Sequence, residues 1–128
     1  MSSARPPFDA VVEVLNTYFD GLYHSDTGRL ARVFHPRAIY ASVSEGALLY
    51  RTMAEYFPVV AARPAPAARA EVRRDRILSV SFAGPATAVA QVNCALGDRF
   101  FTDCLTLILD EGRWQIISKV FHHDPLNG

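Results

Sequence analysis

The chain is poor in the features that announce most functions. It has 2 cysteines in 128 residues, too few for a disulfide framework. It lacks the Gly-rich loop that cradles phosphates, a Ser-His-Asp arrangement and zinc-ligand spacing, so most familiar enzyme classes find no foothold and no cofactor is implied. No stretch approaches the roughly 20 apolar residues of a membrane span. The opening Met1-Ser2-Ser3-Ala4-Arg5-Pro6-Pro7 has no signal-peptide run, which places the protein in the cytoplasm as an expectation. Thirteen basic residues balance thirteen acidic ones, so no global field favours nucleic acid or anionic membrane. The local cluster Arg69, Arg73, Arg74 and Arg76 is interrupted by Glu71 and Asp75 and reads as a solvated strand edge.

What is present is one domain's worth of patterned chain, half of it hydrophobic. Residues 1–7 are expected to be a flexible tail. Phe8, Val11, Val12, Leu15, Phe19 and Leu22 mark one face of a helix. A short second helix follows, capped by Asp26, burying Leu30, Val33 and Phe34 and ended by Pro36. Ala38 to Val43 and Ala47 to Tyr50 read as a small hairpin. Thr52 caps a third helix through Met53, Tyr56, Val59 and Val60, and residues 63–68 form a stiff connector. Four strands then run over roughly 71–83, 86–97, 99–109 and 113–123, with turns at Gly84-Pro85, Gly97-Asp98 and Glu111-Gly112. Grouped helices followed by a meander predict an α+β fold.

Alternation along the strands separates two faces. Pairing Asp103 with Val92 on one side and Val120 on the other puts Val92, Cys94, Phe101, Asp103, Trp114, Val120 and His122 on an inner face. The same register offsets Cys94 from Cys104, too far for a disulfide, and predicts two reduced, buried thiols. Thr102, Thr106, Lys119 and Phe121 fall outside; a one-residue bulge would swap part of this assignment. Asp103 is the informative residue, because it shares a row with Leu105, Leu107 and Leu109. An acid in an apolar layer is costly unless hydrogen-bonded or neutral. It is either an acid or donor in a pocket, or a structural acid tied to a hydroxyl such as that of Tyr18. Tyr40 and Tyr56 either line an entrance and stack on a flat ligand or pack helix against sheet. His122, His123 and Asp124 do not make a metal site, since adjacent strand residues point to opposite faces. His122 is instead a candidate proton shuttle.

The opening helix, the Asp-Thr-Gly-Arg-Leu-Ala-Arg-Val-Phe-His-Pro segment from Asp26 to Pro36, Ala38-Ile39-Tyr40 and the Gly112-Arg113-Trp114-Gln115-Ile116 turn resemble the nuclear transport factor 2-like superfamily. Phe101 to Leu107 followed by Trp114 to Phe121 is most similar to its putative lumazine-binding group. The resemblance covers nearly the whole chain. It implies a cone-shaped roll, with three N-terminal helices on a strongly curved, mixed but mostly antiparallel sheet of about six strands. It also implies a pocket for a small molecule and a homodimer through the outer sheet face. Laying ketosteroid isomerase onto the chain puts its pocket tyrosine on Tyr18, its protonated aspartic acid on Asp103 and its general base on Ser42. Ketosteroid isomerase is a known case of a carboxylic acid kept neutral by apolar surroundings. A serine in the base position breaks the isomerase pattern and leaves a polar anchor for a ligand oxygen. The expected function is therefore binding of an apolar or aromatic compound with an oxygen near Asp103 and Tyr18. Tyr40, Tyr56, Phe101, Val92, Cys94, Val120, Ser42 and Trp114 are its expected lining. The alternatives are an isomerase or dehydratase using Asp103, Tyr18 and His122, or a dimeric assembly module with a vestigial pocket.

Overall fold

A computed structural model describes residues 7–126; residues 1–6 of the expected tail lie outside them. Pro7 itself opens helix α1, Pro7–Tyr23, where its missing N–H costs nothing. Val11, Leu15, Tyr18, Phe19 and Leu22 are its buried stripe. Helix α2, Thr27–Val33, is capped by the Asp26 side chain on the amide of Arg29, and it lies close against α1. A Cβ on Gly21 would stand 2.6 Å from Leu30 Cδ2, so a larger residue there would have to push the Leu30 side chain aside.

The second helix stops at Val33 rather than at Pro36. Phe34 already belongs to strand β1, Phe34–Ser42, which runs parallel to the last strand. Proline disfavours helix in the residue before it, and the parallel ladder slips between Phe34 and Ile39, around Pro36. Strand β2, Leu49–Thr52, folds back on β1. Helix α3, Met53–Ala62, starts in a complete capping box made by Thr52 and Glu55. The connector expected to be extended contains a single 3-10 turn, Pro66–Arg69.

The remaining chain is an antiparallel meander: β3 Arg76–Phe82, β4 Thr87–Leu96, β5 Arg99–Asp110 and β6 Arg113–Pro125. Residues 71–75, expected in the first of these strands, precede it. The sheet has six strands in the order β2-β1-β6-β5-β4-β3, and the three helices pack on it as an α+β cone. Glu111 and Gly112 both have positive φ, 51° and 77°, the conformation a two-residue hairpin turn demands.

Register decides the site. Between β4 and β5 it is regular, with Asp103 opposite Val92 and Cys94 opposite Phe101, as the alternation predicts. Between β5 and β6 it is not. Leu107 faces Ile116 while Thr106 faces Ser118, leaving Ile117 as a one-residue bulge. Beyond it every β6 side chain changes face. Asp103 therefore stands opposite Phe121, not Val120, and Leu105 stands opposite Lys119.

Candidate functional site

Asp103 is fully buried. The Tyr18 hydroxyl, carried in from α1, donates a hydrogen bond to its Oδ2. Its Oδ1 has no hydrogen-bond partner among the described residues. Burial first, and then the neighbouring Asp103, push the Tyr18 phenol well above its ordinary pKa. Tyr18 is thus a fixed neutral donor, and the two residues expected to meet do meet.

A second buried ionisable group lies on the same face. Lys119 is 3% exposed, and its Nζ donates to the Tyr56 hydroxyl at 3.3 Å. The ammonium also sits 5.1 Å from the ring centre of Tyr18, 5.6 Å from Tyr40, 5.3 Å from Tyr56 and 5.5 Å from Phe121. Four ring faces around one cation make an aromatic cage. Burial alone favours the neutral amine, but Tyr56, Asp103, Cys94 and Tyr40 outweigh it and hold the Lys119 pKa above the usual lysine value. Cys94, deep in the core, has its thiol pushed far up by burial, with Asp103 adding to the effect, and is inert at neutral pH.

Above this cluster the cone opens into a cavity of about 480 Å³. Tyr40, Phe101 and Phe121 form its aromatic wall, and Ser42 lines it from β1. Tyr40 stacks on Tyr56 at 4.4 Å and meets Phe121 at 4.8 Å, so this ring pair stands between the cavity and the caged ammonium. Arg51, Arg63, Arg99 and Glu45 supply the charged side chains of the lining, and His123 adds an imidazole. Glu45 is shared by Arg99 at 3.5 Å and His123 at 3.2 Å. Arg51 lies over the Tyr40 ring at 5.7 Å. The Nε of Arg63 is buried with no hydrogen-bond partner among the described residues.

Several expected site residues fall elsewhere. The bulge at Ile117 turns His122 and Val120 to the outer face. His122 is exposed and hydrogen-bonded to Asp124 and Ser44, and Val120 is half exposed. His122 and Asp103 therefore diverge, which removes the isomerase scheme that used His122 as base. Lys119 and Phe121 are lost from the proposed outer dimer face for the same reason, while Thr102 and Thr106 remain on it. Trp114 packs edge-on against Phe82, roughly 30 Å along β6 from His123 at about 3.3 Å per residue. Val92 and Cys94 are sealed in the core and do not line the cavity. Cys104, expected to be buried, is exposed; both thiols are free. Tyr56 forms the cage rather than the entrance. His35, in β1, bonds Asp110 at 2.9 Å.

Lys119, Arg63, Arg99, Arg51 and Glu45 were missed. A signal existed for Lys119: the adjacent apolar pair Ile116-Ile117 cannot satisfy a two-residue period, and such a break marks a bulge.

Comparisons with known proteins agree with this architecture. The family described as "Putative lumazine-binding" matches residues 6–122. A nuclear transport factor 2-like protein of unknown function from Shewanella baltica superposes with a TM-score of 0.82 at 25% identity, covering 92% of this chain and 94% of that one. Another from Silicibacter pomeroyi gives 0.78 at 26% identity, covering 91% and 95%. Among curated proteins, the aldolase FrzH of a Cladobotryum species is 24% identical over 121 residues, 92% of each chain.

Proposed function

We propose, on the premise that this chain belongs to the Putative lumazine-binding family, that it binds a small, flat organic anion in the mouth of the cone. The observation that carries this reading is the cavity of about 480 Å³ with an aromatic wall and three arginines against one carboxylate. That volume lies within the range of small-molecule sites, which are mostly apolar with a few placed polar groups. Tyr40, Phe101 and Phe121 offer ring faces to a planar ligand. The unpartnered Arg63 Nε offers a donor already stripped of water; its guanidinium suits a carboxylate or similar planar anion. The aldolase relative adds carbonyl compounds to the molecules worth testing.

A thermal-shift panel of aromatic carboxylates, pteridines, flavin precursors and keto acids tests this, since a ligand that binds only the native state raises the melting temperature. A hit should weaken about tenfold in Arg63→Ala, the loss of roughly 1.4 kcal/mol. Its neutral amide analogue should weaken similarly against wild type. Equal binding of the amide, or indifference to Arg63→Ala and Arg99→Ala alike, sinks the reading.

A further inference from the structure

The mouth has a smaller neighbour. A second cavity, of about 220 Å³, lies beside it and shares Arg63, Arg99 and Phe101 with it as a common wall. The rest of this annex is built from the connector after α3 and the turn between β4 and β5. Arg63 is the C-cap of α3, and Arg69 ends the 3-10 turn Pro66–Arg69. Pro64 and Pro66, which line the annex between them, fix the backbone of that short link. Ala70 then turns left-handed, with φ 54°, and leads the chain into Glu71. Glu71 Oε1 accepts from the Gly97 amide at 3.0 Å, and its Oε2 reaches Arg69 at 3.6 Å. One carboxylate thus ties the connector to the β4–β5 turn and closes the far wall.

We propose that the annex takes the phosphate of a phosphate monoester whose flat ring occupies the mouth, with the linking arm passing Phe101. The inference rests on the small-molecule reading above and names the anionic group of that ligand. Size is the first reason. A whole organic ligand needs roughly 300 Å³ or more, so a recess of about 220 Å³ suits a substituent. The shared wall makes it a substituent of the molecule in the mouth. Charge is the second reason. Arg63, Arg69 and Arg99 line the annex against Glu71 and Asp98, and Glu71 is already engaged at both oxygens. The buried Nε of Arg63 has no partner among the described residues. Arg69 meets Glu71 at 3.6 Å and Arg99 meets Glu45 at 3.5 Å, with arginine side chains 57% and 52% exposed. Such loose pairs contribute little and yield to a stronger anion. A phosphate brings close to two negative charges and three acceptor oxygens, one for each guanidinium, where a carboxylate has only two oxygens.

Titration calorimetry of the full chain at low ionic strength tests this with 4-methylumbelliferyl phosphate, 4-methylumbelliferyl sulfate, inorganic phosphate and 2-naphthoate. The sulfate ester has the shape of the phosphate ester with a single charge, and the naphthoate carries nothing for the annex. At about pH 7.5, wild type should bind the phosphate ester about tenfold tighter than either the sulfate ester or inorganic phosphate. Arg69 is the deciding residue, because it lines the annex and not the mouth. Arg69→Ala should cost the phosphate ester about tenfold and leave 2-naphthoate within about twofold. Lowering the pH to about 5.5 protonates the phosphate ester, whose second pKa is about 6, and should weaken it a few-fold relative to the sulfate ester. The inference is overturned if Arg69→Ala leaves the phosphate ester unchanged or weakens 2-naphthoate equally. It is also overturned if the sulfate ester or inorganic phosphate binds as tightly as the phosphate ester, if pH moves both esters alike, or if the phosphate ester fails to bind at millimolar concentration. A phosphate ester indifferent to Arg69→Ala, beside a naphthoate lost in Arg63→Ala, sinks the annex and leaves the mouth reading standing. A phosphate ester that needs Arg69, beside a naphthoate indifferent to Arg63→Ala and Arg99→Ala, does the reverse.

Discussion

Two sets of charges share one cone, and they obey different rules. At the rim, Glu45 and Arg99 have side chains 65% and 52% exposed and meet at 3.5 Å. Water and salt screen such a pair, and it contributes little. A short distance inward, Asp103 and Lys119 are essentially without solvent. Each is held by specific groups: a hydroxyl from α1, a hydroxyl from α3, and four ring faces. The rim can be rewritten at little structural cost and so is suited to selecting a ligand. The interior cannot be rewritten without disturbing the fold.

The sharpest way to break this contrast is to remove one interior hydroxyl. Tyr18→Phe keeps the ring that packs against Phe19 and Phe34 and deletes the only side-chain donor to Asp103 among the described residues. Leaving a buried carboxylate without a partner is expected to cost about 1–3 kcal/mol or more. Urea unfolding should show a lower midpoint with an unchanged slope. A loss below about 0.5 kcal/mol would mean that water already satisfies Asp103, and the interior would then resemble the rim.

How much of this was legible in the chain depended on whether local pattern set the outcome. Asp103 was readable because β5 alternates without interruption and its turn to β4 is tight. The caps at Asp26 and Thr52 were readable because capping is written in the three or four residues that perform it. The inner face of β6 was misread from Ser118 onward because one extra residue, Ile117, inverts everything after it, and period-two arithmetic carries no memory of a bulge. The parallel pairing of β1 with β6 was also invisible, since it joins segments some 80 positions apart with no local signature. Arg63 and Arg99 reach one cavity from a helix end and a strand start. Only tertiary packing brings them together, so neither stood out as a site residue.

Alkaline pH offers a second test of the interior, and its sign is fixed. Tyr18 and Tyr40 both have pKa values raised by burial above the ordinary 10.0, and the Cys94 thiol is raised above 9.0. Each group binds its proton more tightly folded than unfolded. Its stabilising contribution is complete below the ordinary value and is lost as pH rises toward the folded value. The caged ammonium, also raised, adds in the same direction. The unfolding midpoint should therefore hold steady from pH 7 to about 8.5 and decline from about 9 upward. Tyr18→Phe should flatten the part of the decline that begins near 10. A midpoint that rises with pH across this window would mean that these groups are not sequestered as described.

The smallest structural effect belongs to Glu45→Gln, and it separates stability from selection. The change removes the ion pair that Glu45 makes with Arg99 and weakens its contact with His123, yet an exposed pair such as Glu45–Arg99 is worth at most about 1 kcal/mol. The melting temperature should move by only a few degrees. Binding should respond in the opposite direction. The carboxylate of Glu45 occupies Arg99 much as a ligand anion would, so neutralising it frees that guanidinium and removes a like charge from the mouth. Affinity for an aromatic carboxylate should rise a few-fold at low ionic strength, and the gain should fade as salt screens the rim. A loss of stability above about 2 kcal/mol would place Glu45 among the structural charges and erase the division between rim and interior. A gain in affinity at nearly constant stability would show that the two sets of charges are separable, with the rim choosing what enters and the interior holding the fold.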